Sequence, residues 1–140
     1  MKLLYIMIIL CIIGLSIYII LYNCKCHVEQ FVKDKLEEIR LKLVQVHPAA
    51  KKLKFKKGNE SFTLNKSEVT LCLEDENGNY YNDNMLVYVG LHELAHALCD
   101  EIGHTDKFYA IFDKLMDKGE ELGVYDRDIP IVQDYCKRTK

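Results

Sequence analysis

Two histidines and a glutamate in the stretch His92-Glu93-Leu94-Ala95-His96 have the types and the spacing that metal chemistry requires. On a helix, side chains four residues apart project from one face, so His92 and His96 can hold a single ion between them. Glu93 can then touch a metal-bound water without binding the metal itself. A zinc ion held in this way acidifies its water, and Glu93 can take the proton as the water attacks a carbonyl carbon.

The residues around this motif indicate that it lies on an amphipathic helix. Apolar side chains recur there at helical spacing, at Leu86, Val87, Leu91, Leu94, Ala95 and Leu98. Any of the residues in 82–84 can cap the start of this helix. The competing interpretation is a surface helix whose two histidines bind nothing, and it leaves unexplained why three of the five histidines fall within 92–104.

The third of these histidines, His104, is the candidate for a third metal ligand. A helix that continued to Ile102 would carry the chain roughly 9 Å past His96, and His104 could hardly return to a metal about 2 Å from its nitrogen. The helix is therefore predicted to end near Leu98–Asp100. Gly103 supplies the backbone freedom for the chain to turn back over the site.

Other ligands and donors remain open from the residues alone. If the helix is long, the third ligand could instead come from Glu120 or Glu121 on the next helix. Cys99 lies near the histidine face, and a thiolate is a good zinc ligand, although burial as a small apolar residue is the more common role. A donor for the oxyanion of the reaction could come from any of several tyrosines: Tyr80, Tyr81, Tyr109 and Tyr125.

The beginning of the chain belongs to a different class of segment. Leu3–Tyr22 is twenty residues without a charge, which is long enough to cross the hydrocarbon core of a membrane as a helix. A cleaved signal peptide usually has a shorter apolar run and a small-residue cleavage site, and neither is seen here. Residues 1–27 are therefore predicted to form a single-pass anchor and juxtamembrane segment, and residues 28–140 to form one small domain.

Two features favour a cytosolic domain. Basic residues follow the span closely, at Lys25, Lys33, Lys35, Arg40 and Lys42. Cys72, Cys99 and Cys136 are scattered without the spacing of a disulfide framework. Asn59 and Asn65 each begin a glycosylation acceptor sequence, and this orientation predicts that neither is modified.

The rest of the domain is predicted to be of the α+β class. Val28–Val46 repeats apolar residues at helical spacing and is expected to pack on the domain, with a short coiled-coil dimer as the alternative. Residues 60–64 and 68–73 are typical of short strands, and a second helix is expected between Thr105 and Gly123. The lysine cluster within 51–57 could meet anionic lipid or nucleic acid, but a solvated loop or a guarded edge strand is the more ordinary interpretation.

The segment from about Glu68 to Leu122 resembles the WLM metallopeptidases, which are relatives of the SprT/Spartan proteases. The likeness rests on the strand at 69–73, on the stretch at 91–96 and on Gly103-His104 with Phe108 four residues after the histidine. It departs from the family in lacking a proline between Gly103 and His104, and its spacer between the second and third histidines is about two residues longer.

This resemblance implies a minimal zincin-like fold behind the transmembrane helix. It implies that zinc is bound by His92, His96 and His104, and that Glu93 is the general base. The family's role in cleaving proteins crosslinked to DNA is not carried over, because this chain has an anchor and no recognisable partner-binding tail.

The sequence thus predicts a membrane-anchored zinc metallopeptidase that hydrolyses peptide bonds in protein or peptide substrates. The competing hypothesis is a non-catalytic, membrane-tethered binding module with a structural metal site. Glu93 weighs against that hypothesis, because a structural site has no use for a carboxylate at this position.

Overall fold

A single long helix, α1 (Lys2–Val46), opens the chain. The computed structural model describes residues 1–136, and contacts divide the chain into two compact units, Met1–Asp34 and Lys35–Lys140. No proline or glycine occurs between residues 15 and 46, so nothing in the sequence interrupts the helix there. Pro48 then begins a short 3-10 helix, Pro48–Lys52.

The first unit is an exposed apolar helix. It contains a window whose mean hydropathy is 2.9, and it is long and apolar enough to cross a membrane. A signal sequence near the N-terminus would meet the same description. The predicted apolar helix is therefore present, and its role as a lasting anchor stays a prediction.

The second unit holds the core. Strands β1 (Lys54–Lys57), β2 (Phe62–Leu64) and β3 (Glu68–Leu71) form its sheet, followed by helices α2 (Asp83–Leu98) and α3 (Asp106–Glu121). The predicted α+β class is confirmed by these elements.

The end of α1 packs on α2, as the apolar repeat predicted. Leu36, Ile39 and Leu43 are buried, whereas Val28 in the first unit is exposed. Gly90 of α2 is the point of closest approach, since a Cβ built there would lie 2.9 Å from Leu43 Cδ1. A glycine at this position lets the two helices come together behind the histidine face.

The sheet has the order β1-β3-β2, with β1 parallel and β2 antiparallel to β3. Asn65 and Lys66 have φ angles of 49° and 55°, as in the tight two-residue turns that join antiparallel strands. β1 contains part of the lysine cluster and is an edge strand, in agreement with the more ordinary interpretation of that cluster. Lys56 pairs there with Glu68 at 3.4 Å.

Asp83 in the first turn of α2 ties this helix to α1. Its carboxylate forms ion pairs with Lys35 and Lys42, the second at 2.6 Å. Burial alone would raise the pKa of Asp83, but the hydrogen bonds from the two lysines outweigh it and hold the pKa well below its usual range. The negative charge also lies at the helix end where it is favourable.

We expect Asp83→Asn to lower the free energy of unfolding by about 0.5–1 kcal/mol at pH 7, because the carboxylate is partly exposed. Since the folded-state pKa lies below the unfolded value near 4, this contribution is present above about pH 4–5 and is lost as the pH falls. Denaturant unfolding should therefore show the full difference between wild type and variant at pH 7 and a smaller difference at pH 3. Asp113→Asn on the exposed face of α3 is the control, and an equal loss in both variants would contradict this role for Asp83.

Candidate metal centre

The helix that carries the motif begins and ends where the site needs it to. Asn82 caps α2 by accepting a hydrogen bond of 2.8 Å from the backbone N–H of Met85. The helix ends at Leu98, and Cys99 has extended backbone angles. The predicted early end is thus confirmed. Gly103, with a φ of 86°, lies in the loop that returns the chain.

This loop brings His104 to the two histidines of α2. The Nε2 atoms lie 3.2 Å apart for His92 and His96, 3.1 Å for His96 and His104, and 3.0 Å for His104 and His92. His92 and His96 are half-buried and His104 is exposed. The three imidazoles therefore converge on one point, and they could hold a metal ion.

Hydrogen bonding among the imidazoles does not account for this triangle. Each Nε2 either carries a proton or does not, so at least two of the three atoms are alike. At least one contact would then join two donors or two acceptors. Tetrahedral zinc with nitrogen ligands at about 2.0–2.1 Å holds those ligands about 3.3 Å apart, close to the spacing found here. The donor set fits a shared cation.

A buried phenylalanine supports all three imidazoles. Phe108 is fully buried, and its ring centroid lies 4.9, 4.3 and 4.8 Å from those of His92, His96 and His104. Thr105 caps α3 by accepting from the N–H of Phe108 at 3.3 Å, which places this ring at the start of the helix. One side chain from α3 therefore contacts imidazoles from both α2 and the loop.

The environment favours the neutral form of the His92 and His96 imidazoles. Burial, and then the neighbouring His96 and His104, lower the pKa of His92 to about 4. Burial also lowers the pKa of His96, with His104 adding to the effect. Neutral imidazole is the form that binds metal, so these two candidate ligands need not lose a proton at pH 7.

Glu93 lies beside the cluster and is held by the sheet. Glu93 is only 4% exposed, and this burial raises the pKa of its carboxyl group. Thr63 of β2 opposes this shift: its hydroxyl lies 2.8 Å from Glu93 Oε2 and 2.9 Å from the Glu93 carbonyl oxygen. Sequence reasoning missed Thr63, because one threonine in a short strand carries no signal that it faces a helix 30 residues away.

Two clefts meet at Glu93. The tail-side cleft has a volume of about 490 Å³ and is lined by Glu60, Ser61, Met85, Tyr88, Val89, His92, Glu93, Ile131, Val132, Gln133, Tyr135 and Cys136. The loop-side cleft has a volume of about 560 Å³ and is lined by Ser61, Phe62, Thr63, Asn65, Lys66, His92, Glu93, His96, Glu101, Ile102, Gly103 and His104. A groove thus extends to both sides of the candidate metal centre.

The tyrosines proposed as oxyanion donors occupy different places. Tyr109 is near the centre, with its ring 6.1 Å from that of His104. Tyr80 lies instead under Lys57, whose Nζ is 5.5 Å from the ring centroid. Tyr88 and Tyr135 line the tail-side cleft and were not identified from the sequence. Tyr88 stands one helical turn before His92, which is a signal that could have found it.

The alternative third ligands lie elsewhere. Glu120 pairs with Arg127 at 3.3 Å and Glu121 with Lys118 at 2.8 Å. Cys99 is fully buried, in keeping with the apolar role considered for it. Within residues 1–136, the histidine, cysteine and carboxylate groups that converge as a metal cluster are the three histidines.

The interpretation of the cysteines as scattered thiols is wrong for two of them. Cys72 and Cys136 form a disulfide, and their Cα atoms are 6.2 Å apart, within the usual range. They are 64 residues apart in the chain, so no local spacing could reveal the pair. The cysteine pattern therefore no longer favours the cytosol.

Comparisons with known proteins find viral relatives. An uncharacterised protein of Invertebrate iridescent virus 6 is 48% identical over 87 residues, which is 60% of this chain and 49% of the relative. One of Invertebrate iridescent virus 3 is 47% identical over 85 residues, 60% of this chain and 54% of the relative. An uncharacterised protein of Acanthamoeba polyphaga mimivirus is 42% identical over 67 residues, which is 46% of this chain and 34% of the relative.

The chain thus spans about half the length of the two iridescent-virus relatives. No protein-family model matches it, and no solved structure matches it.

Proposed function

We propose that this chain is a zinc-dependent peptidase of the kind found in the WLM metallopeptidases, held at a membrane by α1. The observation that carries the proposal is the triangle of Nε2 atoms beside a buried carboxylate. Three histidines leave one position of a tetrahedral ion open, as in catalytic zinc sites, whereas structural sites have four protein ligands.

Each group in the site has a defined task. The three imidazoles would hold the zinc, which would supply Lewis-acid chemistry by polarising a carbonyl group and acidifying water. Glu93 accepts a proton from the attacking water and returns it to the nitrogen of the leaving amine. Thr63 holds one oxygen of the carboxylate, so that the other oxygen is free to face the water. Burial makes Glu93 a stronger base than an exposed carboxylate by raising its pKa.

The groove indicates an extended peptide as the substrate. β2 is an edge strand of the sheet in the described residues, and its Thr63 contacts Glu93, so this edge runs beside the site. An extended chain can add to such an edge by backbone hydrogen bonds. The two clefts on either side of Glu93 would then receive the residues before and after the scissile bond.

The alternative, a membrane-tethered binding module, has less support. Burying a carboxylate is costly, and Glu93 is buried next to the ligands although it is not one of them. A structural centre gains nothing from this arrangement, whereas hydrolysis requires it.

The experiment uses the full-length protein in detergent micelles. We expect about one zinc per chain by elemental analysis, cleavage of an unfolded protein, loss of cleavage on chelation and recovery with added zinc. Zinc binding without cleavage of any peptide in a broad library would favour the binding module.

Thr63→Val is expected to lower kcat/KM by about tenfold with zinc content unchanged, because the carboxylate loses the hydrogen bond that orients it. Thr63→Ser keeps the hydroxyl and should stay within about twofold of wild type. The two variants are compared at equal zinc occupancy. Equal activity of the valine and serine variants would show that this hydrogen bond does not position Glu93.

The orientation proposed from the flanking lysines places the domain in the cytosol. We expect Asn59 and Asn65 to remain unmodified when the full-length protein is made in eukaryotic cells. The Cys72–Cys136 disulfide points the other way, since such bonds persist mainly in oxidising compartments. A mass shift that endoglycosidase removes would place the domain in the lumen.

A further inference from the structure

The C-terminal segment, residues 131–136, forms one wall of the tail-side cleft. The disulfide from Cys136 to Cys72 fastens it covalently. Tyr135 donates from its hydroxyl to the Cys72 carbonyl and lies 2.9 Å from Ser61 Oγ. The N–H of Cys136 donates to the Tyr81 hydroxyl at 3.0 Å. The wall therefore rests on one covalent bond and a few hydrogen bonds, without helix or strand of its own.

Apolar side chains from two segments form part of this cleft. Met85 and Val89 of α2 are buried, and Tyr88 is half-buried. Ile131 and Val132 face the cleft from the C-terminal segment, where the Val132 N–H lies 3.3 Å from Met85 Sδ.

The charged and amide groups of the lining lie toward solvent. Glu60 and Gln133 are exposed, whereas Glu93, with His92, stands where the cleft meets the candidate metal centre. A volume of about 490 Å³ is enough for a large side chain.

We propose that the tail-side cleft is a subsite for an apolar substrate side chain next to the scissile bond, and that the Cys72–Cys136 disulfide holds its outer wall in place. This inference rests on the proposed peptidase function and names the class of substrate side chain that the peptidase selects. The loop-side cleft has a different lining, with Lys66 and Glu101 among its residues, and the proposal concerns the tail-side cleft alone.

The expected strength of the side-chain preference follows from the apolar area that the substrate buries in the cleft. A hydrophobic pocket discriminates by about 10- to 100-fold between a large apolar side chain and a polar one. Because the pocket binds the substrate before and during the reaction alike, the preference should appear mainly in KM. Loss of the wall should therefore raise KM for the preferred peptide and leave kcat nearly unchanged.

The test uses the full-length zinc-loaded protein in micelles and peptides that differ only at the residues flanking the cleaved bond. Leucine or phenylalanine on one side should be preferred over aspartate or lysine by at least about tenfold in kcat/KM. Val132→Lys should weaken that preference and improve cleavage of the aspartate peptide. Ile102→Lys, in the loop-side cleft, is the matched control and should not shift the preference from the apolar peptides to the aspartate peptide.

The disulfide is tested with Cys72→Ser/Cys136→Ser, which should lose most of the preference and keep its zinc. Cys24→Ser/Cys26→Ser makes the same chemical change at two free, exposed cysteines and should behave as wild type. Because removal of the disulfide also affects stability, the change in side-chain preference caused by Val132→Lys is the deciding measurement.

The inference and the proposed function can fail separately. Binding of the same peptides to zinc-loaded Glu93→Gln gives the side-chain preference without catalysis. Metal-dependent cleavage with no apolar preference, or a preference that Val132→Lys leaves unchanged, overturns the subsite. Apolar-selective binding without cleavage by the wild-type protein overturns the peptidase proposal and retains the pocket.

Discussion

Glu93→Gln should keep its zinc and lose peptidase activity by about a thousandfold. The three imidazoles are untouched, and the amide has nearly the shape of the carboxylate, so its oxygen can still accept the hydrogen bond from Thr63. What is lost is the group that takes and returns a proton, and general acid–base catalysis contributes about 10²–10⁴-fold. Because substrate contacts remain, the loss should fall on kcat, with KM little changed.

This result is measured as zinc per chain and as single-turnover cleavage of an unfolded protein, both with the full-length chain in micelles. Glu121→Gln is the matched control, since Glu121 is an exposed carboxylate that pairs with Lys118 and lines neither cleft. Its activity should stay within about twofold of wild type. Full activity of Glu93→Gln would remove Glu93 from the reaction and with it the proposed mechanism.

His104→Ala should weaken zinc binding by at least about 100-fold. Loss even of a group that only supports a ligand costs about 10- to 100-fold in metal affinity, and His104 provides a nitrogen 3.0 Å from that of His92. His104 is exposed, so its truncation should leave the core intact. The unfolding midpoint without metal should therefore match wild type, while the stabilisation by added zinc should largely vanish.

The control for His104 is the double variant Glu120→Ala/Glu121→Ala. Both carboxylates are in ion pairs on α3, with Arg127 and Lys118, so zinc affinity should be unchanged. Competition against a chelating dye measures both variants on one scale. Retention of zinc by His104→Ala together with its loss in the glutamate pair would reverse the assignment.

Local features of the site were predictable from the sequence, because they depend on residues close together in the chain. The spacing of His92 and His96 places them on one face of any helix, and the apolar repeat turns the other face inward. The end of α2 at Leu98 followed from helix rise and from the reach that His104 needs. Gly103 marked the turn.

The long-range features were decided by tertiary structure alone. From the sequence alone, His104 and the two glutamates of α3 were alternative candidates for the third metal ligand. The folded chain brings His104 to the cluster because Phe108 packs under all three rings. Thr63 meets Glu93 only once β2 lies along α2.

The disulfide is the clearest example of this limit. Cys72 follows the strand β3 and Cys136 lies in the irregular C-terminal segment, and 64 residues separate them. Periodicity reports which face of an element is buried, but it does not report which distant element covers that face. The motif and its helix were therefore determined by the sequence. The partner of Glu93, the histidine that closes the triangle and the wall of the tail-side cleft were decided by packing between segments far apart in the chain.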